Sequence, residues 1–384
     1  MKAKKSNQRL SFASPTFGTK LESKTKGLNG TNTQSELTRK AKVKAWLKRV
    51  FLILVALVVI LVLVFGWNFY DAIAKLTGQH NPISLLETIT PQSLKETNGR
   101  VNILLAGYSV GDPNHGGAML TDSIMIISIN PKTKAGTIIS VPRDLWVNIP
   151  GYGQSKINAA YEYGQRGGFN QTGYFPGGMG LLEKVVSKDF GIGFDYYALI
   201  NYAAFRDAVD AVGGIRIDIQ SPDPRGIYDQ YTNLKLPNGW VTLNGQEALS
   251  LARARGDGTA GDVYYGLPNS DFTRTQYQQK MLVALKDKVS HTASLLNPLT
   301  VFNLVSSVGN NVVTDLSVGQ IESLYYDTKG IANNNIKQVT INDYNGQNLL
   351  NNYYVDGQDA LIPSAGVYNY SQIQAAVHSL TTNK

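Results

Sequence analysis

Two short stretches of this chain carry residue types suited to phosphate chemistry. Val141-Pro142-Arg143-Asp144 lies about twenty residues after Thr121-Asp122-Ser123. An arginine on a strand-end loop, paired with a carboxylate one hairpin earlier, suits a site that grips phosphate and a metal. A guanidinium stays charged and offers a planar fork of donors that matches phosphate oxygens. A carboxylate suits Mg²⁺, which keeps several waters and bridges to substrate phosphate. Nine arginines follow residue 49, and four stand in motif-like surroundings: Arg143, Arg253, Arg255 and Arg274. Converging arginines can hold a diphosphate and stabilise the charge that develops during phosphoryl transfer. Taken singly, each arginine also reads as a surface ion-pair partner, and Asp122 as a strand-end cap. Lys156, in Lys156-Ile157-Asn158-Ala159-Ala160-Tyr161, either faces phosphate or opens an ordinary helix. The 21 tyrosines suit sugar contacts.

Other chemistries are poorly supplied. The 384 residues include no cysteine, which excludes disulfides, thiolate zinc sites and cysteine nucleophiles. The four histidines, His80, His115, His291 and His378, show no metal-ligand spacing. The formal net charge is +8, but residues 1–49 hold 13 basic and 2 acidic residues. The remaining 23 basic and 26 acidic residues make the rest of the chain slightly acidic. A nucleic-acid partner is therefore not expected.

The charge asymmetry points instead to a membrane. Val50 to Phe65 is an unbroken apolar run extended by Gly66-Trp67. Eighteen helical residues cover roughly 27 Å, enough for the hydrocarbon core. Lys42, Lys44, Lys48 and Arg49 precede the run, and Asp71 is the first charge after it. Positive charge before the span predicts a basic, disordered cytoplasmic tail (1–49), an uncleaved single-pass anchor (50–69) and an extracellular remainder. The cationic tail also suits anionic membrane lipid.

Residues 70–100 read as a connector, and 101–384 as the outer domain with a C-terminal helical and polar extension. Val101–Ala106 is apolar and short. Ser123–Ile129 and Thr137–Val141 are β-rich runs around a turn at Asn130-Pro131. Helical spacing covers Leu181–Asp189 and Tyr202–Val212, the latter stopped by Gly213-Gly214. Ile215–Ile219 alternates like a strand. Asn244 caps a helix over Gly245–Arg253, broken at Gly256, and a long helix runs over Asp271–Val289. Ser317-Val318-Gly319-Gln320 is a capping box opening a helix that Gly330 stops. Residues 333–355 are Asn-rich and read as a polar surface segment. Strands and helices mixed in this way imply an α/β layered domain.

The ordered motifs together resemble the LytR–CpsA–Psr family of envelope proteins, from about Asn102 to Gln279. They are Asn102-Ile103-Leu104-Leu105-Ala106-Gly107, Thr121-Asp122-Ser123, Ser128-Ile129-Asn130-Pro131, Val141-Pro142-Arg143-Asp144, Lys156-Ile157-Asn158, Asp210-Ala211-Val212-Gly213-Gly214, Leu243-Asn244-Gly245-Gln246-Glu247, Ala252-Arg253-Ala254-Arg255 and Asp271-Phe272-Thr273-Arg274 with Gln278-Gln279. The resemblance implies a central mixed β-sheet with helices on both faces. It implies a phosphotransferase that moves a glycopolymer from undecaprenyl diphosphate to a peptidoglycan hydroxyl. Asp122 would be a Mg²⁺ ligand and, with Arg143 and Arg255, part of the catalytic centre. Arg143, Arg253, Arg255 and Arg274 would bind pyrophosphate, with Asp271, Gln278 and Lys156 in the same polar site.

The chain departs from the family pattern in three places. Ser109 stands where the family has a metal-binding Asp, and nearby Asp112 is a substitute ligand. Leu120 stands where Arg often precedes Thr-Asp, and Tyr277 stands where Arg usually precedes Gln-Gln. The segment Gly256–Ser270 is longer than usual, so Asp257 and Asp262 compete with Asp271. These departures leave a second reading open: a non-catalytic or regulatory protein that binds polyisoprenyl phosphate or glycopolymer.

Overall fold

Apolar residues that alternate along neighbouring strands build a sheet with two buried faces. The computed structural model describes residues 92–109, 119–256, 263–291 and 311–382. The expected tail, the expected anchor and most of the connector lie outside these residues. No helix among the described residues is long and apolar enough to cross a membrane.

The chain first forms β1 (Val101–Tyr108), β2 (Thr121–Asn130), β3 (Ala135–Val141), β4 (Trp146–Ile149) and β5 (Gly153–Lys156). Two helices follow, α1 (Ala160–Arg166) and α2 (Gly177–Phe190), and then β6 (Tyr196–Asn201) and α3 (Tyr202–Ala211). A group of short strands comes next: β7 (Ile215–Ile219), β8 (Ile227–Asp229), β9 (Leu234–Leu236) and β10 (Gly239–Leu243). Beyond them lie α4 (Gly245–Arg253), β11 (Tyr264–Tyr265), α5 (Ser270–His291), β12 (Val312–Thr314), α6 (Val318–Thr328) and β13 (Ile336–Thr340). The chain closes with β14 (Asp343–Tyr344), β15 (Gln347–Asn348), β16 (Leu350–Val355), β17 (Gln358–Pro363) and α7 (Ser371–Thr382).

Six strands form the central sheet in the order β12-β6-β1-β2-β3-β13. The β1–β6 and β3–β13 pairs are parallel and the other neighbours antiparallel, so the sheet is mixed. The period-2 alternation of a strand sends successive side chains to opposite faces. Leu104, Ala106, Ile124, Ile126, Ile139 and Val141 share one core with Leu182 and Val186 of α2 and Ile373 and Val377 of α7. On the other face, Met125 and Ile138 meet Val283 of α5, and Val101, Ile103 and Ile129 pack with Leu316 and Ile331. A further cluster joins Val209, Ile217, Leu251, Tyr277 and Met281, which ties β7, α3, α4 and α5 together. The expected sheet with helices on both faces is therefore present.

Several local expectations hold closely. Asn244 accepts from the Glu247 amide and completes a capping box with the Glu247 side chain, so α4 starts at Gly245. Ser317 and Gln320 do the same for α6. Gly213 and Gly214 both have positive φ after α3, and a Cβ on Gly214 would lie 2.8 Å from the Leu243 carbonyl oxygen. Helix α6 ends at Thr328 with Lys329 as its C-cap, so it stops just before Gly330 as expected. One expectation changes. The polar segment 333–355 is no simple surface tract, because β13 adds to the central sheet and β16 pairs with β17. An edge strand pairs on one side only, so exposed Lys337 and Gln338 are compatible with it and disguised it in the sequence. The last part of the connector is also ordered onto the domain: buried Arg100 donates from Nε to Ser128 Oγ at 2.7 Å.

Candidate active site

The β3–β4 loop places Arg143 directly after a strand whose side chains are locked in the core. Its Nη1 donates to Asp122 Oδ1 at 2.6 Å, and Asp122 lies at the start of the neighbouring strand β2. Its Nε donates to Asp271 Oδ2 at 3.0 Å, in the first turn of α5. One planar guanidinium therefore bridges two carboxylates from distant parts of the chain. A single ammonium point charge lacks that fork geometry.

Asp271 is the centre of this arrangement. Its Oδ1 also pairs with Arg255 Nε at 2.8 Å and with Arg274 Nη1 at 3.2 Å. Burial would raise its pKa, but the guanidiniums of Arg274, Arg143 and Arg255 outweigh burial and hold it below the usual carboxylate range. Burial lowers the Arg143 pKa, but Asp271, Asp122 and Asp144 overcome it and leave the net shift upward. Arg274 is buried and its pKa is lowered, by desolvation and then by the neighbouring Arg143 and Arg255 charges. Its Nη2 donates to the Asp122 carbonyl at 3.3 Å, while Nε has no hydrogen-bond partner among the described residues.

The supporting residues explain why these groups stay aimed. Asp229, at the end of β8, accepts from the backbone amides of Arg255 and Gly256 at 3.0 and 3.1 Å. That anchor holds the turn after α4, where Gly256 takes φ +67°. Gln278 donates to the Ala252 carbonyl at 2.9 Å and accepts from Ser123 Oγ at 3.0 Å. Gln279 pins α5 to the sheet through Ser140 Oγ and the Val339 carbonyl, at 2.7 and 2.8 Å. Such bonds hold charged donors in place before any ligand arrives, which is how fixed dipoles stabilise developing charge.

Two cavities meet at the arginines. One, of about 390 Å³, has mainly apolar walls that include Leu105, Met125, Ile200, Phe205, Met281 and Leu282. The other, of about 670 Å³, is a more polar groove bounded by the β3–β4 loop, the start of α5 and the β16–β17 hairpin. Asp122, Ser123, Arg143, Arg255, Arg274 and Gln278 line both. The charged cluster thus stands between an apolar chamber and a polar one. An amphiphile with an anionic junction fits that sequence of environments.

The family model for the LytR_cpsA_psr family matches residues 64–365. The chain belongs to this family. It is 30% identical over 287 residues to the polyisoprenyl-teichoic acid–peptidoglycan teichoic acid transferase TagU of Oceanobacillus iheyensis, covering 72% of this chain and 80% of TagU. It is 29% identical over 227 residues to the regulatory protein MsrR of Staphylococcus aureus, covering 59% of this chain and 60% of MsrR. The fold also matches the LytR-CPS2A-psr family protein YwtF (TagT) with bound octaprenyl pyrophosphate lipid. That match has a TM-score of 0.51 and 21% identity, and covers 76% of this chain and 95% of the other.

Within this LytR_cpsA_psr domain, Asp122, Arg143, Arg255, Asp271, Arg274 and Gln278 come together. Arg253 lines only the apolar cavity, with its guanidinium 5.0 Å from the Tyr202 ring centre. Lys156 lines neither cavity; it pairs at 2.8 Å with Asp144, which lines the groove. Asp112, Asp257 and Asp262 lie outside the described residues. The family departures have separate structural fates. Leu120 packs against the main core, and Tyr277 is buried in the cluster behind α5. Ser109 is buried, and its Oγ has no hydrogen-bond partner among the described residues. Sequence reasoning gave no role to Ser123, although it stands in the Thr121-Asp122-Ser123 motif, and passed over Asp229 and the groove residues of β16 and β17, which have no motif around them.

Proposed function

We propose that this protein is a membrane-anchored phosphotransferase acting outside the cell membrane, moving a glycopolymer from undecaprenyl diphosphate to peptidoglycan. The observation that carries the reading is the arginine cluster set between an apolar cavity and a polar groove. The polyisoprenyl tail takes the apolar cavity, where its burial is favourable. The diphosphate lies against Arg143, Arg255 and Arg274, with Arg253 alongside on the cavity side. The acceptor hydroxyl oxygen bonds to the glycan-bearing phosphorus. The bond from that phosphorus to the bridging oxygen breaks, the lipid leaves as its monophosphate, and the hydroxyl proton passes to solvent in the open groove. Fixed guanidiniums stabilise the charge on the equatorial and leaving oxygens.

The oxygen donors present fit Mg²⁺ in a minimal form. Among the described residues no group of three acidic or histidine side chains is arranged to hold a metal. Mg²⁺ commonly takes only one or two carboxylates together with substrate phosphates. Asp122 would hold it with phosphate oxygens, while Ser109, which follows the strand paired to that of Asp122, lines neither cavity. The ion would neutralise phosphate charge. Asp112 is the other candidate ligand.

Transfer of a lipid-diphosphate-linked glycan to peptidoglycan tests the reading, with Mg²⁺ and with a chelator. Arg143→Ala combined with Arg255→Ala should lower the rate by at least about 100-fold, the scale for losing preorganised charge-stabilising donors. Full activity in that double variant would overturn the proposed site. Ser109 supports a second reading, a non-catalytic or regulatory binder of the carrier lipid. Absence of turnover in the natural chain, restored by Ser109→Asp, would favour it; robust Mg²⁺-dependent turnover would exclude it.

A further inference from the structure

Exposed apolar side chains gather where the apolar cavity meets solvent. Tyr231 lines that cavity and is still 52% exposed, so it stands at the mouth. Backbone pairing brings Val263 beside it. The Gln230 amide donates to the Val263 carbonyl at 3.2 Å, and the Val263 amide donates to Gln230 Oε1 at 3.0 Å. Val263 is 57% exposed and Tyr264 is 50% exposed. Exposed apolar residues scattered singly are ordinary, whereas a cluster of them beside an opening marks a contact surface.

The rim belongs to a small three-stranded sheet in the order β11-β8-β9. Its edge strand β11 lies in the segment after Gly256 that is longer than the family pattern. Asp229 of β8 pairs across to Tyr264 and also accepts the Arg255 and Gly256 amides, so rim and arginine turn share one anchor. The other face of this sheet is aromatic and cationic. Tyr228 and Tyr265 stack with ring centres 5.5 Å apart, and the Arg225 guanidinium lies 3.9 Å from the Tyr265 ring centre. Exposed Lys235 stands opposite Tyr228.

A polyisoprenyl chain resides in a bilayer. Under the reading proposed above, it must pass from there into the cavity, and any stretch that crosses water exposes apolar surface unfavourably. Contact between the mouth and the bilayer removes that gap. Tyrosine rings and Lys or Arg heads sit well at the headgroup boundary, and aliphatic side chains sit among the upper acyl chains. A glycan could use the rings, but it gains little from Val263. The continuity of Tyr231 with the cavity wall also favours lipid.

We propose that Tyr231, Val263 and Tyr264 dock the cavity mouth onto the phospholipid bilayer, so that the carrier enters without crossing water. The inference rests on the carrier reading for what passes through the mouth. Its test reads contact with lipid and not transfer.

The chain has no cysteine, so one introduced thiol takes one label. The full chain with Val263→Cys or Tyr354→Cys, each carrying a fluorophore, is reconstituted into vesicles of phosphatidylglycerol and phosphatidylcholine. The vesicles include lipid with a nitroxide near the headgroup end of its acyl chain. Tyr354 lines only the groove, across the arginines from the apolar cavity. Quenching at position 263 should exceed that at 354 by about two-fold or more, as for a side chain at the headgroup–acyl boundary. Equal quenching would overturn the proposal. So would a label at 263 that ignores lipid and responds to soluble polyglycerol phosphate or to a second copy of the chain. Val263→Asp provides a second arm, because a carboxylate resists the acyl boundary. Its octaprenyl diphosphate affinity in detergent should stay within about two-fold, while uptake of that ligand from vesicles should slow by about five-fold or more. Unchanged uptake would also overturn the docking surface. If octaprenyl diphosphate fails to bind the natural chain in detergent, the carrier reading falls. Preferential quenching at 263 would in that case still support the docking surface.

Discussion

Asp271 receives three guanidiniums, and that one carboxylate sets how the site responds to mutation and to acid. Its pKa is held low, so its contribution to stability is present above the ordinary carboxylate pKa and is lost as pH falls through the lower, folded value. Asp271→Asn should destabilise the domain by about 1–3 kcal/mol at pH 7, the scale for leaving buried charged donors poorly paired. The gap between variant and natural chain should close in strong acid. Denaturant unfolding at pH 7 and at successively lower pH, below the ordinary carboxylate range, measures both. The residue identities at this site were readable beforehand, because Arg143, Arg255 and Arg274 each sit in a distinctive motif. Their convergence was not. Arg143 and Asp271 are 128 residues apart, and in sequence Asp257 and Asp262 competed for the same role.

At the scale of elements, α5 joins the site to the sheet. Asp271, Arg274 and Gln278 face the cavities, while Gln279 reaches under β3 and β13. Gln279→Leu removes donors from Ser140 Oγ and the Val339 carbonyl in a buried setting, and should cost about 1–3 kcal/mol. It should also lower transfer activity by loosening the helix that carries Arg274; thermal unfolding and the transfer assay read the two effects. Helix α2 carries a titrating group on the opposite face of the sheet. Burial pushes the Glu183 carboxyl up to about 7, opposed by the Phe175 amide and reinforced by Asp315. A raised carboxyl stabilises fully below the unfolded pKa and loses that contribution as pH rises through the folded value. Glu183→Gln should therefore gain stability relative to the natural chain between pH 5 and pH 8, by up to about 3 kcal/mol. Unfolding free energies at the two pH values check it, and a pH-independent difference would exclude the titration. Helices with capping boxes and periodic faces were legible in the sequence because their signals are local. Strand β13 was not, because its pairing partner, β3, lies about two hundred residues earlier in the chain.

For the whole molecule, the arrangement of apolar cavity, arginines and polar groove predicts ligand-linked stability. A ligand that binds only the folded chain at 100 times its dissociation constant adds about 2.7 kcal/mol to unfolding. Octaprenyl diphosphate should raise the thermal midpoint accordingly, and a polyisoprenyl alcohol without phosphate should raise it much less. Equal shifts for both would remove the arginines from recognition. The sequence by itself determined the α/β class, the exclusion of thiol chemistry, the charge reversal after residue 49, and the motif arginines. Those follow from residue type and short-range order. Only the tertiary structure decided that one carboxylate, Asp271, gathers three arginines. It also decided that Lys156 stands behind Asp144 and that the β16–β17 hairpin walls the groove. Each of these depends on contacts between residues far apart in the chain, and such contacts are set by how the sheet and α5 pack, which no local pattern of residues records.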